Sequence, residues 1–415
     1  MSNQWSFETK SIHSGFDQDE QTGATSLPIY ETAAFAYDSA EALEAAFIGR
    51  KFGHIYSRIA NPTVTAFEKR MNALEGGVGA IATASGMAAI ATVVSALTQA
   101  GDEIVSSQSL FGGTFQLFND IFKGYGVHTH YVRSTDTEAY QKAISANTRL
   151  IFLETIGNPK LDIPNIREIA GVAAASGVPL VVDSTLTTPY LFEAKRFGAA
   201  IVIHSTSKYI SGSGHTIGGV LIDLGNFDWS RSRSEAVRQL ARQAGEVAFL
   251  ARARKQILQN TGSCLSPFNA YLQNLGLETL ALRMRQHCHN AALLAEYLQT
   301  KPQVAEVKFP GLAEHPDHAI AKAQFNGAFG AVVTIRLGTK ERSYRLVNRL
   351  QMVKRLANVG DAKTLIIHPA STIYHTCSEA EQLEAGVYPD LLRISVGIEH
   401  SGDIIADFDQ ALAEE

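Results

Sequence analysis

From Ala80 to Ile222 the chain alternates short apolar runs with longer amphipathic stretches. Ala80–Thr83, Ile104–Ser107, His128–Val132, Leu150–Leu153, Leu180–Val182, Ile201–Ile203 and Gly219–Ile222 read as strands. Met87–Gln99, Thr114–Phe122 and Ile166–Ser176 read as helices between them. Several strands are continuously apolar, which indicates burial on both faces. Strands of that kind alternating with helices predict an α/β fold, a mostly parallel sheet flanked by helices. Ahead of them, Pro62–Leu74 reads as a helix with proline just inside its start and Gly76-Gly77 just past its end. The first sixty residues are turn-rich, without a sustained period, and close on an extended run, His54–Arg58. Beyond the alternating region, Ser232–Gln259 and Leu277–Gln299 read as long helices. Strands Ala331–Leu337 and Leu392–Val396, mixed with helices, predict a smaller α+β C-terminal domain. The expected division is an arm over 1–60, an α/β domain over 61–257 and the smaller domain over 258–415.

With 415 residues the chain exceeds one ordinary core. Lys and Arg number 36 against 41 Asp and Glu, a net charge of −5, which argues against nucleic acid as the main partner. Charged residues are 19% against an ordinary roughly 25%, and hydrophobic ones 45%, so much surface should be buried, subunit interfaces included. Three scattered cysteines build neither a disulfide framework nor a zinc pattern, and the N-terminus reads as no signal peptide, so a cytoplasmic setting is expected. The charge-free stretch Gly76–Gly101 is long enough to span a bilayer, but its glycines and hydroxyls fit a strand, a turn and a packed helix better.

Three strand ends carry unusual chemistry. Leu180–Val182 runs into Asp183, Ile201–Ile203 into His204-Ser205-Thr206-Ser207-Lys208, and Ala80–Thr83 into Ser85-Gly86-Met87. Open parallel sheets bind ligands beyond the carboxyl ends of their strands. Taken singly, each is more often a cap, a turn or a solvated loop. Together they suit one device: a lysine that condenses with an aldehyde, an aspartate that keeps a pyridine nitrogen protonated, and a helix N-terminus for a phosphate. Ser205 and Ser207 stand at alternate positions, so both hydroxyls are expected to face that phosphate.

The segments YSRIANPT (56–63), ASGMAAI (84–90), ETIGNP (154–159), VVDSTLTTPYL (181–191), HSTSKYISGSG (204–214), NVGDAKTLIIHPAS (358–371) and LLRISVGIE (391–399) resemble the Cys/Met-metabolism family of pyridoxal phosphate (PLP) enzymes, nearly end to end. The resemblance implies a fold-type I PLP-dependent transferase, assembled as a homotetramer built from two active dimers. It assigns Lys208 as the lysine that carries PLP, Asp183 as the partner of the ring nitrogen, and Gly86, Met87, Ser205 and Ser207 as the phosphate cradle. Tyr56 and Arg58 correspond to residues that reach the phosphate of the neighbouring subunit. Positions i and i+2 of an extended run would place both on one side. Arg393 matches the arginine that grips the substrate carboxylate, Asn158 a residue near the ring oxygen and that carboxylate, and Asn358 with Val359 the rest of the carboxylate site. Lys208, Tyr56 and Asp183 are the implied catalytic residues, with no metal. Phe111 stands where the family usually has tyrosine, so the ring can stack on the cofactor but has no proton to give.

GGVLIDLGNFDW (218–229) and GSCLSPFNAYLQNLGLETLALRM (262–284) further resemble the O-acetylhomoserine sulfhydrylase branch. That branch implies γ-replacement on O-acetyl-L-homoserine by sulfide, or by a thiol or carrier-bound thiocarboxylate, giving homocysteine and acetate in methionine biosynthesis. A methionine γ-lyase-type elimination and an O-succinylhomoserine sulfhydrylase are the alternatives, and a PLP-binding protein without catalysis is the rival from another class.

Three weaker signals are set aside. Gly77-Val78-Gly79-Ala80-Ile81-Ala82 fits a dinucleotide pattern but precedes a strand instead of following one. His287-Cys288-His289 is more often structural, because i and i+2 diverge on a helix. Arg231–Lys255, interleaved with Glu235 and Glu246, reads as a solvated or interface face.

Overall fold

Continuous apolar runs leave a strand no polar side, so each must be covered on both faces, and the computed structural model shows the sheet that follows. It describes residues 5–51 and 53–413. Residues 1–4, which open the segment read as lacking a leader, and 414–415, which end the expected third domain, lie outside them.

Seven strands form the large sheet: β1 Gly79–Thr83, β2 Glu103–Ser107, β3 His128–Val132, β4 Thr148–Glu154, β5 Leu180–Asp183, β6 Ile201–His204 and β7 Gly219–Asp223. Their order is β1-β7-β6-β5-β4-β2-β3, parallel from β3 to β6, with β7 antiparallel to both its neighbours. Alternate residues feed two cores. Val182 and Val202 join one with Phe67 and Met71, and Val181, Ile201 and Ile203 the other with Ile90 and Val93. A second sheet follows: β8 Glu306–Lys308, β9 Val332–Arg336, β10 Lys354–Arg355, β11 Leu365–Ile367 and β12 Leu391–Ser395, in the order β10-β11-β12-β9-β8. Among the described residues no helix is long and apolar enough to cross a membrane.

Five expectations are corrected. Ser232–Gln259 is not one helix. It breaks after Glu235–Ala244 at Gly245, whose φ of 57° and ψ of −131° leave the helical region, and resumes at Ala248 before a wide π turn, Ala253–Leu258. The helix expected over Leu277–Gln299 starts at Leu280, Leu277 and Glu278 closing a preceding helix, Pro267–Glu278, and Thr114–Phe122 begins at Gly112 and widens into a π turn at Leu117. In the first sixty residues, Phe7–His13 and Ala40–Phe47 are helices, each about two turns long and too short to establish a period. His54–Arg58 is not an extended run throughout: Tyr56 bridges Ala34, and Ser57–Ile59 turn, with the Ile59 amide donating to the Tyr56 carbonyl at 2.9 Å.

Part of the N-terminal segment packs on its own chain, since Arg70 donates to the carbonyls of Ser14 at 2.8 Å and Ile12 at 3.1 Å. Of the arginines of 231–255, Arg231 and Arg242 are exposed as a solvated face requires, but others are tied to the protein. Arg254 pairs with Glu68 at 2.8 Å, and Arg252 donates to the Ala96 carbonyl at 2.8 Å. His287 is buried, with Nδ1 2.7 Å from the Val396 carbonyl, a structural role.

Candidate active site

The carboxyl edge of the large sheet opens onto a cavity of about 650 Å³, closed on its far side by β12 and by the loop before β11. Its floor comes from the strand ends. Helix Gly86–Leu97 starts here, capped by Ser85, whose Oγ accepts the Ala88 amide at 3.1 Å. The first amide used within the helix is that of Ala89, so those of Gly86 and Met87 lie ahead of it with the positive end of the helix dipole. Gly86 is required by close approach: a Cβ there would sit 2.6 Å from Cβ of Ser205. Ser205 and Ser207 both line the cavity, although Ser207 lies in a turn rather than an extended run. The Ser205 amide donates to Thr185 Oγ1 at 2.8 Å, and Ser207 Oγ accepts the Gly218 amide at 3.0 Å.

Asp183 ends β5 and accepts the Thr185 amide at 2.9 Å. Burial lifts its carboxyl above the ordinary range against the Thr185 hydrogen bonds that lower it. Beside it, β4 ends in Glu154, which accepts the Phe111 amide at 2.6 Å and which burial, then Asp183, pushes well above the ordinary range. Lys208 Nζ donates to Asn358 Oδ1 at 2.6 Å. Burial, with Arg393 adding to it, drops this amine to about 8.

Arg393 is the middle residue of β12 and is buried, with Thr334 and Ile367 as its neighbours across the sheet. Its fork reaches neutral oxygens alone: Nη1 donates to Asn158 Oδ1 at 3.0 Å and Nη2 to the Asn358 carbonyl at 3.3 Å. Nε has no partner among the described residues. Burial lowers this guanidinium to about 10, so the site is short of an anion.

Eleven of the thirteen residues singled out in the sequence therefore line one cavity, Phe111 and Val359 among them. Tyr56 and Arg58 do not. Tyr56 is exposed, with the Arg58 guanidinium 5.4 Å from its ring centre, and Arg58 donates to the Gln259 carbonyl. Three residues escaped the sequence reading. Glu154 opens the matched segment ETIGNP, and Thr185 lies inside VVDSTLTTPYL, so both were in view without a role. Tyr374, whose hydroxyl lies 3.0 Å from the Asn158 carbonyl and 3.2 Å from that of Leu110, carried no signal.

These residues fit PLP. The Gly86–Ser205 approach leaves room where a side chain would intrude, the helix start suits a phosphate, and a half-buried amine of lowered basicity suits an aldehyde. The orphaned Arg393 Nε suits the carboxylate of an amino acid.

Residues 8–413 match the model of the Cys/Met metabolism PLP-dependent enzyme family. An O-acetyl-L-homoserine sulfhydrylase of Thermus thermophilus is 42% identical, over 98% of this chain and all of that one. A homocysteine synthase of Schizosaccharomyces pombe is 41% identical over 98% of each. Among solved structures, a protein of Campylobacter jejuni assigned as an O-acetylhomoserine (thiol)-lyase superimposes with a TM-score of 0.94 at 33% identity, covering 99% of this chain and 100% of that one; it contains a pyridoxyl-lysine monophosphate residue. Cavity chemistry and likeness coincide over almost the whole length: the chain belongs to the Cys/Met-metabolism family of PLP-dependent enzymes.

Proposed function

We propose that the chain catalyses γ-replacement on O-acetyl-L-homoserine: the Cγ–O bond breaks, acetate leaves, and sulfide forms the Cγ–S bond of L-homocysteine. The observation that carries this reading is the joining, in one cavity, of the Lys208 amine, the Asp183 carboxyl and an Arg393 fork without an anionic partner. Lys208 would hold the cofactor, Asp183 its ring nitrogen, and the Gly86 and Met87 amides with Ser205 and Ser207 its phosphate. Bound PLP supplies an electron sink for negative charge developing at the substrate's Cα.

The chain's own residues do the rest. Arg393 takes the substrate carboxylate bidentately, and its two present acceptors, on Asn158 and Asn358, hold the fork in place. Lys208, brought down to about 8, has a neutral fraction near physiological pH, so its Nζ can take the Cα proton and return it. Phe111 offers a ring face and no acid. Acetate needs little protonation to leave, so the missing phenol weighs less here than it would for a thiolate.

Lys208 and Arg393 are the cationic side chains of the described lining, and both have tasks. The succinyl or phosphoryl group of another homoserine ester would bring a further negative charge with no cation left for it, which favours the neutral acetyl group. Sulfide as donor follows the same branch of the family; a thiol or a carrier-bound thiocarboxylate would use the same cavity.

We also infer a homotetramer of two dimers in the cytoplasm. The exposed side chains of Tyr56, Phe47 and Ile48 support an arm within residues 1–60 that meets a second copy, where Tyr56 and Arg58 would reach the neighbour's phosphate. The same reading keeps 61–257 as the PLP-binding unit and 258–415 as the smaller one.

Steady-state turnover of acetyl-, succinyl- and phospho-homoserine with sulfide, with Lys208→Ala as control, tests the assignment. Turnover of the acetyl ester alone is expected. Turnover of no ester refutes the reaction, and release of 2-oxobutyrate without sulfide replaces it by elimination.

A further inference from the structure

Glu154 is a buried acid that the reaction above leaves unused. It ends β4 as Asp183 ends β5, and the two are partners in the parallel ladder. Paired residues on neighbouring strands project from the same face, so the carboxyls stand side by side on the floor of one cavity. The charged groups that act on Glu154 are both acids, Asp183 and, less strongly, Asp162. Among the described residues the basic group that acts on Asp183 is His204, itself bound to Glu75 at 2.5 Å. Tyr374, packed over this corner from the loop after β11, is neutral.

Two adjacent carboxyls without a cation between them do not both ionise. On the reading above, Asp183 must carry the charge that faces the ring nitrogen, which leaves the proton to Glu154. A neutral carboxyl still accepts hydrogen bonds, and Glu154 accepts one from a residue that matters. Phe111 precedes helix Gly112–Gln116 without a side-chain cap of its own. Its amide is held by Glu154 at 2.6 Å, and its carbonyl accepts the amides of Thr114 at 2.8 Å and Phe115 at 3.1 Å. With both backbone groups tied, the backbone that carries the ring is fixed beside the cavity the residue lines.

We propose that Glu154 is a positioning residue, a neutral carboxyl that grips the Phe111 amide and so fixes the aromatic wall of the cavity, while leaving Asp183 as the single negative charge on its floor. This rests on the PLP reading of the cavity. It assigns to a residue outside the proton transfers both the aim of the stacking ring and the charge seen by the ring nitrogen.

The test compares the PLP-loaded wild type with Glu154→Gln and Glu154→Ala. Infrared difference spectra at neutral pH should show a protonated-carboxyl stretch that Glu154→Gln removes. Glutamine keeps the neutral acceptor, so its visible circular dichroism and PLP affinity should stay within about threefold of wild type. Alanine frees the Phe111 amide: the visible dichroism should change, and PLP affinity should fall about tenfold, the worth of one buried hydrogen bond at about 1.4 kcal/mol per decade. The proposal is overturned if the stretch is absent, if Asp183→Asn removes it and Glu154→Gln does not, or if Gln disturbs the dichroism as much as Ala. Unchanged dichroism in Glu154→Ala overturns the positioning role. Should Ala not fold, the infrared and Gln results still decide. A wild type that binds no PLP sinks the cofactor reading instead, and the infrared bands of that protein still report whether Glu154 carries the proton.

Discussion

Replacing Lys208 by methionine should make the cofactor-free protein more stable at neutral pH. Lys208 is enclosed with Arg393 as its charged neighbour, and its amine has dropped from an ordinary 10.5 to about 8. Below pH 8 the folded chain must hold a cation there that the unfolded chain holds freely in water. The difference of about 2.5 units corresponds to about 3.4 kcal/mol at about 1.36 kcal/mol per unit. Partial solvent access and the lost bond to Asn358 Oδ1 reduce the net gain from methionine to about 2 kcal/mol. The sign with pH follows from proton counting. Between about 8 and 10.5 the unfolded state binds the extra proton, so wild-type stability rises with pH through this window. The Lys208→Met protein has no such rise, and its advantage should close by pH 10.5. Urea unfolding of both cofactor-free proteins at fixed concentration, from pH 7 to pH 10.5, measures the gap. A variant no more stable than wild type at pH 7, or a gap that stays constant to pH 10.5, would refute the claim that burial and Arg393 hold this amine down.

Arg393→Lys should raise KM for the amino-acid substrate and cut kcat/KM by at least about 30-fold, because a buried fork loses its bidentate grip at about 2 kcal/mol or more; a loss under about threefold, within 0.7 kcal/mol, removes the carboxylate from this position. Gly86→Ala places a Cβ 2.6 Å from Cβ of Ser205 and 2.9 Å from its Cα, so the urea midpoint and PLP affinity by fluorescence titration should both fall; unchanged affinity means that the phosphate sits elsewhere. Phe111→Tyr restores a phenol beside the cavity and should bring out thiol elimination from methionine, read as 2-oxobutyrate. If elimination stays undetectable and replacement is unchanged, position 111 does not discriminate between the two.

The parts of the fold legible beforehand are those whose signal is local. Helix Ile166–Ser176 was bounded to the residue, because Asn165 caps one end and Gly177, at a φ of 65°, ends the other. Strands β5 and β6 came out as apolar runs since both faces are covered. The break at Gly245 was not legible, as an isolated glycine in an amphipathic stretch is often tolerated within a helix. Tyr56 and Arg58 come together through a turn and a ring contact where the reading assumed alternation along a strand. Glu154 was missed for a different reason. Its meaning lies in its register with Asp183 on the next strand and in its bond to Phe111, and neither relation leaves a trace at position 154.

The cavity keeps its acids and bases apart, and that separation is itself informative. Among the described residues, no carboxyl is one of the groups that act on Lys208, and neither Lys208 nor Arg393 is among those that act on Glu154 or Asp183. Had Asp183 faced Lys208, the ion pair would have held the amine protonated and the carboxylate occupied, leaving neither for chemistry. Instead the amine is moved towards its neutral form at one end, while at the other a carboxyl pair holds one charge between two acids. A ligand that answers both ends needs an electrophilic carbon for the amine and a basic ring nitrogen for the acid. The Arg393 fork, set beside the amine and bonded to neutral oxygens alone, then calls for a carboxylate on whatever joins that carbon. An amino acid joined to pyridoxal phosphate meets all three demands, so the separation of charge and the unanswered Arg393 fork together favour that class of substrate.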